Sequence, residues 1–359
     1  MSLSHIDATG LRNLEPTSIE PHPRLNFLVG PNASGKTSLL EAAYLLGRAR
    51  SFRTHQINQL IHFGDTALTV VGKLSAQGSS VIPVGIRLGR GEREIHLAGK
   101  AIQSSAELIR ALPLLVIQPS GIALLEGAPR LRRQFLDFGV FHQDSSYLDH
   151  WRRYTKALNQ RNALLRAQSI RDIAPWNHEL ARCGIMINDA RTRYIERMEP
   201  FFQEVGGRFF SSPRFVLRLH AGWDLSRSLD SILEHDVASD LRHGYTQAGP
   251  HKGDFSITLD GRPVKAYLSR GQMKLLVYAL LLAQARLMEE HNGGAGCVLI
   301  DDVASELDDA NRRTLLTLLQ ERSTQYFITA TSRHSIEEGL QGDSALFDIT
   351  QGRITQTRP

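Results

Sequence analysis

Gly30-Pro31-Asn32-Ala33-Ser34-Gly35-Lys36-Thr37 matches the pattern G-x-x-x-x-G-K-S/T in full. The glycines of such a loop let the backbone close around phosphate groups, and successive N–H groups converge as an anion nest. A helix starting near Lys36 aims the positive end of its dipole at the same anion. Lys36 supplies a mobile cation for the β- and γ-phosphates, and Thr37 offers its hydroxyl to Mg²⁺. The chemistry indicated is ATP binding, with Gly30, Pro31, Asn32, Ala33, Ser34, Gly35, Lys36, Thr37 and Ser38 as candidate contacts. A second element must hold the metal. Cys297-Val298-Leu299-Ile300 runs straight into Asp301-Asp302, a buried strand ending in carboxylates. Asp301 is the expected Mg²⁺ contact, and Asp302 is expected to orient or deprotonate the attacking water. Lys36, Asp301 and Asp302 are therefore the candidate catalytic groups, with Thr37 and Asp301 at the metal.

These residues need a strand before the loop and a helix after it. Leu25-Asn26-Phe27-Leu28-Val29 is a short apolar run broken by Gly30, which suits a buried strand. From Lys36 to Gly47, Leu39, Leu40, Ala43 and Leu46 recur at helical spacing. The first 30 residues predict paired strands, residues 66–102 an antiparallel meander with glycine turns, and Leu114-Leu115-Val116-Ile117 another buried strand. From about 121 to 235 the pattern turns helical. Trp151, Tyr154, Leu158 and Leu165 form one stripe, and Leu180, Ile187, Ala190, Tyr194 and Met198 another, with Pro175 between them. After about 240 strand and helix alternate: a strand over 254–259, a helix over 271–290, the strand 297–300, a helix over 309–322 and a closing strand over 326–329.

Composition sets outer limits. The 359 residues suffice for two or three domains, and 42% hydrophobic with 22% charged residues is ordinary for soluble globular chains. No stretch of 18 uncharged apolar residues predicts a membrane span, and the first residues lack a secretory pattern. Two cysteines, Cys183 and Cys297, support neither a disulfide framework nor a zinc site, so a reducing, cytoplasmic setting is expected. The net charge of +5 sits in residues 130–200, which carry 13 Lys/Arg against 8 Asp/Glu. That balance suits a polyanion such as DNA or a solvated helical face.

Two further motifs narrow the class. Tyr267-Leu268-Ser269-Arg270-Gly271-Gln272, followed by a long apolar helix, looks like the signature of ABC-type ATPases, commonly L-S-G-G-Q. A plain helix cap is the alternative reading. Asp301-Asp302-Val303-Ala304-Ser305-Glu306-Leu307-Asp308 resembles the Walker B strand end and D-loop of the same class. About 230 residues separate P-loop and signature, with neither long heptads nor a zinc hook between them. Residues Asn26 to Ala42, Ser51-Phe52-Arg53-Thr54, Gly127 to Asp137 and Gly249-Pro250-His251-Lys252 are similar to motifs of the RecF family of bacterial DNA replication and repair proteins. The likeness spans almost the whole chain. It departs from the wider class in three places. Arg270 stands for the first signature glycine, Thr329-Ala330-Thr331 for the switch histidine (His334 comes too late), and Gln118 for a Q-loop in an altered context.

The resemblance implies an α/β fold: an ABC-type P-loop ATPase head, a mixed sheet with helices, with an inserted mainly helical arm. The expected division is 1–120 for the first head lobe, 121–235 for the arm, and 236–359 for the second lobe with signature, Walker B and D-loop. It implies ATP sandwiched between the P-loop of one subunit and Ser269, Arg270, Gly271 and Gln272 of another, with Gln118 a metal or water contact. It further implies an ATP-dependent homodimer gripping DNA near single-strand gaps and a weak DNA-stimulated ATPase. Cooperation with RecR and RecO to load RecA, in recombination, repair and the SOS response, completes the expectation. Asp302, a methylene shorter than glutamate, predicts slow hydrolysis. Candidate DNA contacts are Arg130, Arg132, Arg133, Lys252 and the basic residues of 152–166, through the backbone and not base edges. The other classes open to the sequence are the ATPase subunit of a membrane transporter and a nucleotide-dependent scaffold that does not hydrolyse.

Overall fold

The computed structural model describes residues 1–75, 81–211, 214–292, 296–303, 307–340 and 343–357. The chain forms two compact units, residues 1–121 with 274–359, and residues 122–273. The expected boundary at 235 is corrected: residues 236–273 belong with the helical unit.

The first unit opens with β1 (Ser2–Thr9), β2 (Thr17–Ile19), β3 (Leu25–Val29) and α1 (Lys36–Arg48). It continues through β4 (Ala67–Ser75), β5 (Ile82–Gly89), β6 (Arg93–Leu97), β7 (Lys100–Ala101), α2 (Ser105–Ala111) and β8 (Leu114–Ile117). The second unit holds α3 (Ala123–Glu126), α4 (Pro129–Gln143), α5 (Tyr147–Arg166), α6 (Ala174–Phe209), β9 (Phe215–His220), α7 (Leu229–His235), α8 (Val237–His243), β10 (Asp254–Leu259), β11 (Arg262–Pro263) and α9 (Val264–Tyr267). Helix α10 (Arg270–Asn292) begins there and continues in the first unit, followed by β12 (Cys297–Ile300), α11 (Asp309–Gln320), β13 (Gln325–Ala330), β14 (Ser344–Thr350) and β15 (Arg353–Thr357).

In the first unit β2-β1-β4-β5-β6-β7 form an antiparallel sheet, as the alternation of residues 66–102 predicts. The other sheet runs β15-β14-β3-β13-β12-β8, with β14, β3, β13, β12 and β8 mutually parallel. Continuous apolar runs such as Leu25–Val29 and Cys297–Ile300 belong there, because such strands are covered on both faces. Helix α1 is apolar almost all round and shares one buried cluster with Leu3, Ile6 and Val70 of the first sheet and Leu28, Phe327 and Phe347 of the second. Strand β13 lies inside the sheet between β3 and β12, so 326–329 is not the closing strand. The closing pair is β14–β15, which the sequence reading passed over.

In the second unit the stripe Leu180, Ile187, Ala190, Tyr194 and Met198 is buried on α6, with Pro175 in its first turn, where a missing N–H costs nothing. The segment expected to be mainly helical also contains β9, which pairs with β10 from Asp254↔His220 to Leu259↔Phe215. This pairing, and the ion pairs Arg132–Asp254 and Arg161–Asp240, tie residues 236–259 to the helices. Arg161 is 0% exposed: its Nη1 donates to Asp240 at 2.6 Å and Thr246 at 2.8 Å, its Nε to Asn177 at 2.6 Å.

The Gly249–Lys252 motif closes a second polar network in this unit. His251 Nε2 donates to the Thr246 carbonyl at 3.0 Å, which leaves Nδ1 to accept from the Tyr154 hydroxyl at 2.6 Å. Burial lowers the imidazole pKa to about 4, opposed by the Thr246 bond and by Asp240 and helped by Lys252 and Arg133. The unfolded chain then binds the proton more readily than the folded one. Stability is full above pH 6.5 and falls as the pH drops from 6.5 towards 4, by about 3 kcal/mol over the whole window. All three tryptophans, Trp151, Trp176 and Trp223, lie in this unit. Urea midpoints from tryptophan fluorescence at pH 7.5 and 4.5 measure the loss. His251→Gln, which can keep both hydrogen bonds, should flatten the dependence; an equally steep profile in that variant refutes the assignment.

Candidate nucleotide site

The loop Gly30–Gly35 leaves the end of β3 and turns into α1, whose first turn has no side-chain cap. An uncapped helix start presents N–H groups to whatever lies before it. Three backbone features hold the loop. Gly35 has φ +116° and Ala33 φ +63°, the left-handed geometry that turns successive N–H groups inward. At Gly30 a Cβ would stand 2.0 Å from the Ile349 carbonyl of β14, so only glycine fits. Gly352, in the β14–β15 turn, donates its N–H to the Ser34 carbonyl at 2.8 Å.

Within this frame Lys36, 7% exposed, donates to the carbonyls of Gly30 (2.7 Å) and Pro31 (2.8 Å). Burial lowers its pKa, opposed by Asp302 and Asp301. Thr37 Oγ1 lies 3.1 and 3.2 Å from the two carboxylate oxygens of Asp301. Burial raises the Asp301 pKa, helped by Asp302 and opposed by hydrogen bonds from Thr329 and Thr37. The P-loop and the strand-end carboxylate, 264 residues apart, thus meet as the sequence predicts. Asp302 sits at φ +56°, a strained backbone for a non-glycine residue. Its N–H donates to Thr329 Oγ1 at 2.6 Å, and that hydroxyl donates to Asp301 at 2.9 Å. Thr329, noted in the sequence only for standing where a histidine is usual, is the residue that locks both aspartates. His334 is exposed and faces Glu337. Gln118 directly follows β8, and the bond from Asp301 N–H to the Ile117 carbonyl (2.9 Å) continues that strand pairing.

A cleft of about 640 Å³ opens over the loop, lined by Ala33 to Ser38 together with Arg12, Asn13, Arg53, Gln59 and Ile61. The last five were not predicted as site residues. Arg12 and Arg53 among them are placed by Glu41, fully buried in α1, which accepts two bonds from Arg12 (2.8 and 3.0 Å) and one from Ser51 (2.5 Å), with Arg53 at 3.6 Å. A carboxylate inside an otherwise apolar helix was the signal that could have found them. Ser38 donates to Asn13 (2.8 Å), which in turn donates to the Ala33 carbonyl (3.1 Å).

The signature residues Ser269, Arg270, Gly271 and Gln272 belong to the second unit and are exposed. Ser269 Oγ accepts from the Gln272 N–H (3.3 Å) and Gln272 Oε1 from the Ser269 N–H (3.0 Å), a reciprocal capping box at the start of α10. Within one chain, then, they act as the helix cap that was the alternative reading. Asp308 caps α11, while Ala304, Ser305 and Glu306 of the expected D-loop lie outside the described residues.

The candidate DNA contacts divide. Arg130 and Lys252 are exposed, Lys252 Nζ lying 4.5 Å from the Tyr245 ring centre. Arg133 is half-buried and donates to the Gly253 carbonyl at 2.9 Å. Arg132 is a correction: 5% exposed, it forks onto both oxygens of Asp254 (2.7 and 2.9 Å) and onto carbonyls at the end of α3. Arg161 is likewise withdrawn from the basic residues of 152–166. Both are too deep to reach a phosphate, because buried charges are retained only when paired. Among the described residues no helix is long and apolar enough to cross a membrane.

Residues 2–355 match the family described as RecF/RecN/SMC N terminal domain. The chain is 42% identical over 362 residues, 99% of each partner, to the DNA replication and repair protein RecF of Pseudomonas putida strain GB-1. It is 41% identical, with the same coverage, to that of Pseudomonas syringae pv. tomato DC3000. A solved structure of the recombination mediator protein RecF with ATP, in the RecFOR pathway, superposes with a TM-score of 0.88 at 26% identity, covering 99% of this chain and 97% of that one. An Smc head bound to the C-terminal winged-helix domain of ScpA shares the fold, with a TM-score of 0.64 at 14% identity and coverage of 100% and 98%. With its P-loop, strand-end aspartates and helical insertion in one continuous match, the chain belongs to the RecF/RecN/SMC N-terminal-domain family, among its RecF members.

Proposed function

We propose that the chain is an ATP-driven DNA clamp of recombinational repair and replication. ATP held at Gly30–Ser38 closes a dimer against Ser269–Gln272 of a second copy, the dimer grips DNA near single-strand gaps, and slow, DNA-stimulated hydrolysis releases it. The observation that carries this reading is the meeting of Thr37 and Asp301 beside an uncapped helix start and a lysine resting on loop carbonyls. Ser34 Oγ, out of solvent contact and without a hydrogen-bond partner among the described residues, fits a phosphate acceptor in the loop. Thr37 and Asp301 fit Mg²⁺, a hard cation that takes oxygen ligands. When bound, Mg²⁺ supplies positive charge between the phosphate oxygens. Lys36 exchanges its two carbonyls for phosphate oxygens, Asp302 orients the attacking water, and Thr329 fixes the spacing of the two carboxylates. RecR and RecO are the partners this reading implies, with RecA loading downstream and a cytoplasmic setting.

Sedimentation with and without ATP and gapped duplex tests the reading. A dimer should form only with ATP, and an unchanged monomer with ATP and DNA together refutes it. Ser269→Arg places a bulky cation at the exposed cap. It should weaken the ATP-dependent dimer by roughly 100-fold, about 3 kcal/mol, while ATP affinity per chain stays the same. Equal loss of ATP binding in that variant would show that the cap acts within its own chain.

A further inference from the structure

A second cavity, of about 350 Å³, lies in the first unit on the other side of the loop that follows α1. Residues 50–60 have two faces: Arg53 and Gln59 line the nucleotide cleft, whereas Arg50, His55 and Ile57 line this cavity. Arg48, from the last turn of α1, and Arg93, from β6, complete its basic lining, and no aspartate or glutamate is among the lining residues. We propose that this cavity is a second anion site that binds a phosphate group, separate from the P-loop.

Three arginines line one cavity with an apolar wall that includes Ile57 and Leu88. Like charges so arranged repel unless an anion joins them, and an apolar wall strengthens whatever electrostatic contact forms. Guanidinium forks match the oxygens of a phosphate ester in geometry as well as charge. Two of the three are already oriented. Arg48 Nη2 donates to the Leu114 carbonyl at 2.6 Å, and its Nε is out of solvent contact. Arg93 Nη2 donates to Ser105 Oγ at 2.7 Å. Burial lowers the Arg48 pKa to about 10, opposed by Tyr44 and helped by Arg50. The cavity is far too small for a duplex but accommodates a phosphodiester or the phosphates of a small molecule. Of these two sources, only the nucleic-acid one rests on the DNA-binding reading above.

Calorimetry with inorganic pyrophosphate and anisotropy with a labelled gapped duplex, both on the full chain, test the site. Arg50 and Arg93 are exposed, so Arg50→Gln with Arg93→Gln spares the core. The wild type should bind two pyrophosphates, the double variant only the one at the P-loop, and Lys36→Ala only the one at the new site. If the source is nucleic acid, the double variant should also weaken duplex binding about tenfold and reduce the salt slope by about 2. Arg171→Gln with Arg208→Gln, the same charge change on the second unit, should leave two pyrophosphate sites. Loss of the second pyrophosphate with duplex binding intact assigns the site to a small phosphate ligand. Two pyrophosphates and unchanged duplex affinity in the Arg50/Arg93 variant overturn the proposal.

Discussion

Lys36→Ala should cut ATP turnover by about 10²- to 10³-fold, roughly 3–4 kcal/mol of lost transition-state stabilisation. The magnitude follows from where the ammonium sits. It rests on two loop carbonyls, placed to exchange them for the oxygens of a phosphate. A surface lysine would give far less, because water screens it. Lys36→Arg should not restore activity, since a planar fork does not reproduce the compact ammonium that rests on the two loop carbonyls. Single-turnover phosphate release with the protein in excess over ATP is the measurement. Turnover within a few-fold of wild type in Lys36→Ala would remove Lys36 from the catalytic groups.

The largest stability effect is expected at Arg161. Arg161→Met strips Asp240 of its charge partner in a buried setting and also leaves Asn177 and Thr246 short of a donor. Breaking such a pair costs about 3–5 kcal/mol. Asp240 still accepts from the Gln247 N–H and side chain, both at 3.1 Å, which keeps the loss from being greater. The doubly substituted Arg161→Met/Asp240→Asn should recover part of it, because no unpaired charge then remains. Since every tryptophan lies in the second unit, fluorescence-detected urea unfolding follows that unit alone, and nucleotide binding by the first unit should survive. A midpoint within experimental error of wild type in Arg161→Met contradicts the assignment.

Arg161 also marks the limit of what sequence can disclose. The P-loop and Asp301 were readable because their chemistry constrains residue type and spacing locally, and strand and helix flank them where they must. The apolar stripe of α6 was readable for the same reason, since its period is written in consecutive turns. A charged residue on a helix carries no such mark. Arg130, solvated, and Arg132, forked onto Asp254, stand two positions apart in one motif, and their difference lies in a partner 122 residues later. Glu41 is similar: its role emerges only when Arg12 and Ser51 converge on it. Strand β9 does alternate in sequence and β14 carries the apolar run Ala345-Leu346-Phe347, but one follows a 36-residue helix and the other a strand already taken as the last. The boundary at 235 failed with β9, since without it β10 had no reason to join the helical unit.

The bracing of the loop by β14 and the turn at Gly352 has a consequence for the order of synthesis. Strand β3 and the P-loop leave the ribosome among the first 40 residues, yet both strands that flank β3 and the carbonyl that seats against Gly30 come from residues 325–352. Until those residues emerge, the loop has its sequence but not its shape. A chain cut short after β13 would carry every residue of the phosphate motif and both aspartates and still lack the wall that forms it. The wall of the phosphate loop is thus completed by residues synthesised about 300 positions after the motif itself.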